Sequence, residues 1–174
     1  MEVEHYVHLT VAFVRNHEGW ALPIVFALAF GESLAFISLL VPATVALVGI
    51  GALIGVSGIS FVPIWISAAL GAAIGDWLSY WLGIRFKESV AKVWPLSRHP
   101  DLLVRGHRFV AGYGLYAVFL GRFLGPLRAT VPLAAGILQM PSLNFQVANF
   151  TSAFLWAAVL LAPGTFGMKF LHLG

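Results

Sequence analysis

The sequence predicts an all-α polytopic integral membrane protein. It is read as two re-entrant helical hairpins entering from opposite faces as an inverted repeat, two transmembrane helices and an N-terminal amphipathic helix. Composition is the first observation behind this: 60% of the 174 residues are hydrophobic and 10% charged, against roughly 45–50% and about 25% in soluble domains. Lipid must therefore solvate most of the surface. The second is order, because two long apolar spans alternate with two apolar stretches interrupted by proline. The third is the isolation of Glu32, Asp76, Arg122 and Arg128 within those apolar segments.

Residues 2–18 segregate Val3, Tyr6, Val7, Leu9, Phe13 and Val14 from Glu4, His8, Arg15 and Asn16 at 100° per residue, the pattern of a helix lying in the headgroup plane. From Gly19 to Gly75 the only charge is Glu32. A spanning helix needs about 20 apolar residues, yet "GESLAFISLLVPATVALVGIGALIG" carries Pro42 near its middle and each half is short for a crossing. Residues 20–57 therefore read as a first re-entrant hairpin, a form tolerated where protein or a wet cavity surrounds it; two kinked ordinary helices are the plainer alternative. Residues 59–84 make a clear span with Trp65, Trp77, Tyr80 and Trp81 as interface anchors. The segment 85–108 holds six Lys/Arg against one Glu and one Asp and reads as a cytoplasmic loop. Residues 109–139, with Pro126 and Pro132 as breaks, form the second hairpin, and 142–171 the second span. All of it belongs to one membrane domain, 1–174.

One crossing between two hairpins makes them enter from opposite faces, the layout of an inverted repeat with a midplane site. "ATVAL" at 43–47 and "ATVPL" at 129–133 echo each other just after each break. "GALIG" at 51–55 and "GAAIG" at 71–75 are small-xxx-small patterns that let helices approach closely.

Charge inside a bilayer costs from about 3 to over 10 kcal/mol, so embedded charges mark function by default. Asp76 lies only nine residues before Arg85, about 13 Å along a helix, which leaves an interfacial position open to it. Arg122 and Arg128 can snorkel from a shallow hairpin. Glu32 has no such exit. Taken together, two acids and two arginines can neutralise each other around a wet cavity. Arginine binds phosphate through a planar two-pronged donor array, and a carboxylate in a poorly hydrated site can take up a proton. These are the parts of a proton-coupled carrier of a lipid phosphate.

Other classes find no support. With no cysteine, disulfides, thiolate metal sites and palmitoylation are excluded. "MEVEHYVH" is acidic and lacks the basic region of a secretory signal, so no cleavage is expected. His5 and His8 have no third ligand, so no metal is expected. There is no phosphate-binding glycine loop and no nucleophile–base pair, so neither enzyme activity nor a cofactor is expected. The net charge of +3 comes from the membrane-flanking loop and speaks for topology, not nucleic acid.

Over roughly 20–160 the chain resembles the DedA family (SNARE-associated, VTT-type membrane proteins). "GESLAFISLLVPATVALVGIGALIG" is similar to the family's first hairpin and "GDWLSYWLGIRF" to its Gly-Asp element. "YGLYAVFLGRFLGPLRATVPLAAGILQMP" resembles its Arg/Pro signature, and "NFQVANFTSAFLWA" the helix after it. The resemblance implies lipid translocation in the bacterial cytoplasmic (inner) membrane, most specifically of undecaprenyl phosphate, with some members moving phospholipids and some needing the proton-motive force. It implies that Arg122, Arg128 and Thr44 bind the lipid phosphate and that Glu32 and Asp76 couple to protons and gate, with Pro42, Pro126 and Pro132 as hairpin breaks. Many members have a second acid or a Gly-containing turn in the first hairpin, where this chain reads Pro42-Ala43-Thr44; Thr44 can hydrogen-bond a phosphate but cannot carry a proton at neutral pH. Many members also continue into another C-terminal helix where this chain ends, which a partner subunit can replace, so a homo-oligomer is an expectation. The rival readings are a phospholipid flippase or scramblase, a proton-coupled exporter of small cations bound at Glu32, and a non-transporting scaffold.

Overall fold

The computed structural model describes residues 18–34, 44–57, 59–87, 89, 97, 100–125 and 127–172. All regular structure among them is helical: α1 Glu18–Ser33, α2 Thr44–Ser57, α3 Phe61–Phe86, α4 Pro100–Tyr113, α5 Leu115–Gly121, α6 Leu127–Ile137 and α7 Ser142–His172. The amphipathic segment 2–18 and the breaks Pro42 and Pro126 lie outside the described residues, apart from Glu18 as the first residue of α1.

Length divides the helices into two kinds. The α3 helix has 26 residues and α7 has 31, or about 39 and 46 Å at 1.5 Å per residue, enough to cross a hydrocarbon core of about 30 Å. Both are apolar enough to do so, with a mean hydropathy of 1.5 over their best windows. The 16, 14 and 11 residues of α1, α2 and α6 fall short.

The two long helices run antiparallel. Trp65 Nε1 donates to Phe154 O at 2.9 Å, Asn149 Nδ2 to Ala73 O at 2.9 Å, and Tyr80 stacks on Phe145 with ring centroids 4.1 Å apart. The short helices dock on this pair: α1 along α3, α2 along α7, α6 along α3, and α5 along α7. Glycines make the docking possible. Cβ atoms at Gly71 and Gly75 of α3 would run into Phe26 O and Phe30 O of α1; one at Gly51 of α2 would sit 2.7 Å from Leu161 O of α7; one at Gly136 of α6 would collide with Tyr80 O of α3. Backbones in contact gain dispersion along the whole crossing, which is how helices associate where lipid removes the hydrophobic drive. The two sequence patterns thus pack as expected, "GALIG" through Gly51 and "GAAIG" through both its glycines. The echo residues Leu47 and Leu133 are both fully buried.

Two apolar clusters result. One gathers Val25, Ala29, Leu47, Ile54, Ile64, Ala68 and Leu161 from α1, α2, the start of α3 and the end of α7. The other gathers Tyr80, Val110, Val118, Val131, Ala135 and Phe145 from the end of α3, the start of α7 and α4–α6. Most of the buried polar residues, Glu32, Ser33, Asp76, Ser79, Arg122, Asn149 and Ser152, fall between them.

Two sequence readings need correction. The segment 85–108, read as a loop, gives its last nine residues to α4, which continues to Tyr113. There Gly106 and Val110 are buried and Leu102, Leu103 and Phe109 half-buried, while Asp101, Arg105 and Arg108 face outward. The charges hid an apolar stripe at helical spacing. Pro132 does not break a chain segment either: it lies inside α6, buried. Its ring removes the N–H that the Arg128 carbonyl would accept, a loss of one bond that a well-docked helix tolerates.

Candidate functional site

All four embedded charges meet in one buried cluster. Asp76 is the sixteenth of the 26 residues of α3, within about 4 Å of that helix's middle. It is buried, as are Glu32 at the end of α1 and Arg122 just after α5.

Arg122 follows α5 in a tight turn, where Phe123 N donates to Leu120 O at 3.0 Å and Leu124 N to Gly121 O at 3.1 Å. Gly125, with a φ of +46°, takes a conformation that suits a residue without Cβ. This turn aims Arg122 at α3 and α7. Nη2 donates to Asp76 Oδ2 at 2.5 Å and to Asn149 Oδ1 at 2.7 Å, and Nε to Ser152 Oγ at 3.0 Å. Nη1 is buried with no hydrogen-bond acceptor among the described residues. Asn149 cannot turn over, because its Nδ2 is held by Ala73 O. Arg122 is thus clamped by a carboxylate and two neutral acceptors fixed by two other helices.

Arg128 is held differently. From the first turn of α6 its Nη1 donates to Glu32 Oε1 at 2.9 Å and its Nη2 to Ser33 Oγ at 3.3 Å. The ring of Trp156 lies 4.4 Å from its guanidinium carbon, a cation–π contact. Its side chain keeps 10% of its exposure, against 2% for Arg122. Both members of this pair also oppose their helix dipoles: Glu32 sits at the carbonyl end of α1 and Arg128 at the N–H end of α6. Each position is mildly unfavourable for that charge, so the pair depends on mutual neutralisation.

The two pairs are coupled. Asp76 interacts electrostatically with Arg128 as well as with Arg122. Ser79, one turn beyond Asp76, donates to Gly75 O at 3.1 Å and is 3.4 Å from Ser33 O. The cluster of two carboxylates and two guanidiniums is neutral overall, which suits a site between two apolar cores.

Of the residues picked out by sequence, Glu32, Asp76, Arg122 and Arg128 come together here. The backbone of Thr44 opens α2, but its side chain is outside the described residues. Sequence reasoning missed Ser33, Ser79, Asn149, Ser152 and Trp156. The available signal was the spacing of Asn149, Ser152 and Trp156, which puts three hydrogen-bonding side chains on one face of an apolar helix. No group of His, Asp and Glu suited to a metal occurs among the described residues.

The VTT domain matches residues 41–166. The inner membrane protein YabI of Escherichia coli is 36% identical over 152 residues, which cover 87% of this chain and 60% of YabI. The uncharacterized membrane protein BU139 of Buchnera aphidicola is 33% identical over 153 residues, 88% of this chain and 60% of that protein. The inner membrane protein YghB of Escherichia coli is 31% identical over 145 residues, 81% of this chain and 65% of YghB. The chain therefore spans about 60% of the length of the first of these relatives. No solved structure matches it.

Proposed function

The chain belongs to the VTT-domain membrane proteins, the DedA family, and from that premise we propose that it carries an anionic lipid phosphate, undecaprenyl phosphate foremost, between the leaflets of the bacterial inner membrane. The observation that carries this reading is the unequal holding of the two arginines. Arg122 is clamped and ties α3 and α7 to the turn after α5. Arg128 has one strong charged partner, Glu32, and one long hydrogen bond. A phosphate offers the same two in-plane acceptors to Arg128 that Glu32 and Ser33 offer now.

Transport then becomes an exchange of acids. Protonation of Glu32 removes its charge and releases the guanidinium; the lipid phosphate takes its place; on the other side Glu32 loses the proton and recaptures Arg128. Asp76 keeps Arg122 neutralised throughout, and no cofactor or catalytic step is needed. The lipid tail stays in the bilayer beside the exposed faces of α3 and α7. Thr44, at the start of α2, is proposed to add a hydroxyl to the headgroup path.

The helix pairing supports the further proposal that α1–α2 and α5–α6 are re-entrant hairpins of an inverted repeat. Each pair sends its first helix to one long helix and its second to the other, with α3 and α7 exchanging roles. An alternating motion of the two hairpins around the charged junction would expose Arg128 to each side in turn.

The test is transport by purified protein in liposomes. Arg128→Ala is expected to abolish undecaprenyl phosphate movement while the protein stays folded; transport at the wild-type rate overturns the proposal. Full function of Glu32→Gln would leave lipid binding standing but remove proton exchange at Glu32, and would favour a scaffold if charge-neutral variants all complement.

A further inference from the structure

The junction holds four formal charges that sum to zero, and only one of the two cations is free to change partner. Arg122 is committed through Asp76, Asn149 and Ser152, with 2% of its side chain exposed. Arg128 can give up Glu32 and Ser33. Trp156 lies against one side of the guanidinium, and a ligand that replaces Glu32 and Ser33 meets the edge that carries Nη1 and Nη2. Once Glu32 leaves or is neutralised, Arg122, Arg128 and Asp76 leave a single positive charge to be matched. The Nη1 of Arg122, without a hydrogen-bond partner among the described residues, can add a hydrogen bond, but it adds no charge to that sum.

We infer that the site accepts a headgroup carrying one negative charge and rejects headgroups carrying more. Phosphodiesters and singly protonated phosphomonoesters belong to the accepted class, and diphosphates do not. A second negative charge would enter a junction with apolar cores on either side and find no cation released to meet it; buried charge without a partner is strongly disfavoured. A zwitterionic headgroup is disfavoured for the converse reason: with Asp76 engaged by Arg122 and Glu32 protonated in the exchange, its cationic end meets no ionised carboxylate. This inference rests on the lipid-phosphate reading of Arg128 and adds a charge limit to it.

Tail-matched diacyl lipids provide the test: phosphatidylglycerol, phosphatidic acid, diacylglycerol diphosphate and phosphatidylcholine, each titrated into the purified full chain in detergent at fixed pH. The quantity compared is the binding lost in Arg128→Gln, or in Arg128→Lys should the first variant not fold. Phosphatidylglycerol is expected to bind at least tenfold more tightly than the diphosphate and the phosphatidylcholine, with phosphatidic acid between them. Diphosphate binding as tight as that of phosphatidylglycerol, both lost with Arg128, overturns the charge limit while leaving the lipid-phosphate reading intact. Absence of any Arg128-dependent binding for all four lipids overturns both.

Discussion

Removing the charge of Asp76 tests the division of labour between the arginines. Asp76→Asn keeps the side-chain shape but leaves Arg122 with neutral acceptors only, at a site where the partners' side chains are 2% and 8% exposed. Breaking a buried pair from one side costs about 3–5 kcal/mol, and Arg122→Gln is expected to cost the same, because it strands Asp76. For a chain of this size that corresponds to roughly 6–20 °C in melting temperature, at about 2–4 °C per kcal/mol. The double variant removes both charges together, so it should be less destabilised than the two losses added, by about 2 kcal/mol or more. Thermal and denaturant unfolding in detergent, followed by tryptophan fluorescence, reads all four corners of the cycle. Single losses below about 1 kcal/mol, or strict additivity, would refute the view that Arg122 is a structural clamp.

Other substitutions probe separate parts of the structure. Ser152→Ala deprives Arg122 Nε of its acceptor and should cost about 1.5–3 kcal/mol in the same unfolding assay. Trp156→Phe should retain lipid binding, while Trp156→Leu should weaken it and cost about 0.5–2 kcal/mol through loss of the face-on contact to Arg128. Gly136→Ala drives a Cβ into Tyr80 O and should lose at least about 3 kcal/mol, shown as poor recovery of folded protein. Gly112→Ala meets nothing within 4 Å and should be neutral or stabilising by up to about 1 kcal/mol.

The four charges were legible because apolar surroundings make each of them expensive, and expense needs a reason. Their pairing was not, since Glu32 meets Arg128 across 96 positions of sequence only because α1 docks on α3 through Gly71 and Gly75. Asn149 and Ser152 escaped notice because neutral polar residues are cheap enough in membrane helices to pass as packing. The long helices were placed to within two residues of 59–84 and 142–171, as hydropathy over 20 residues is a strong signal. The α4 helix was missed because the charges of 85–108 outweighed a short apolar stripe. Pro132 was misread because proline signals a break only where docking does not hold the helix together.

The exchange at Arg128 can be seen directly by magic-angle-spinning NMR. The full chain, labelled with 15N-arginine, is placed in a bilayer of phosphorus-free glycolipid containing undecaprenyl phosphate, so that the substrate carries the only phosphorus. A 31P–15Nη dipolar coupling matching a separation of about 4 Å, absent from Arg128→Gln and retained in Ser152→Ala, is the expected result. A spectrum with no such coupling, or one unchanged by Arg128→Gln, contradicts phosphate capture by Arg128.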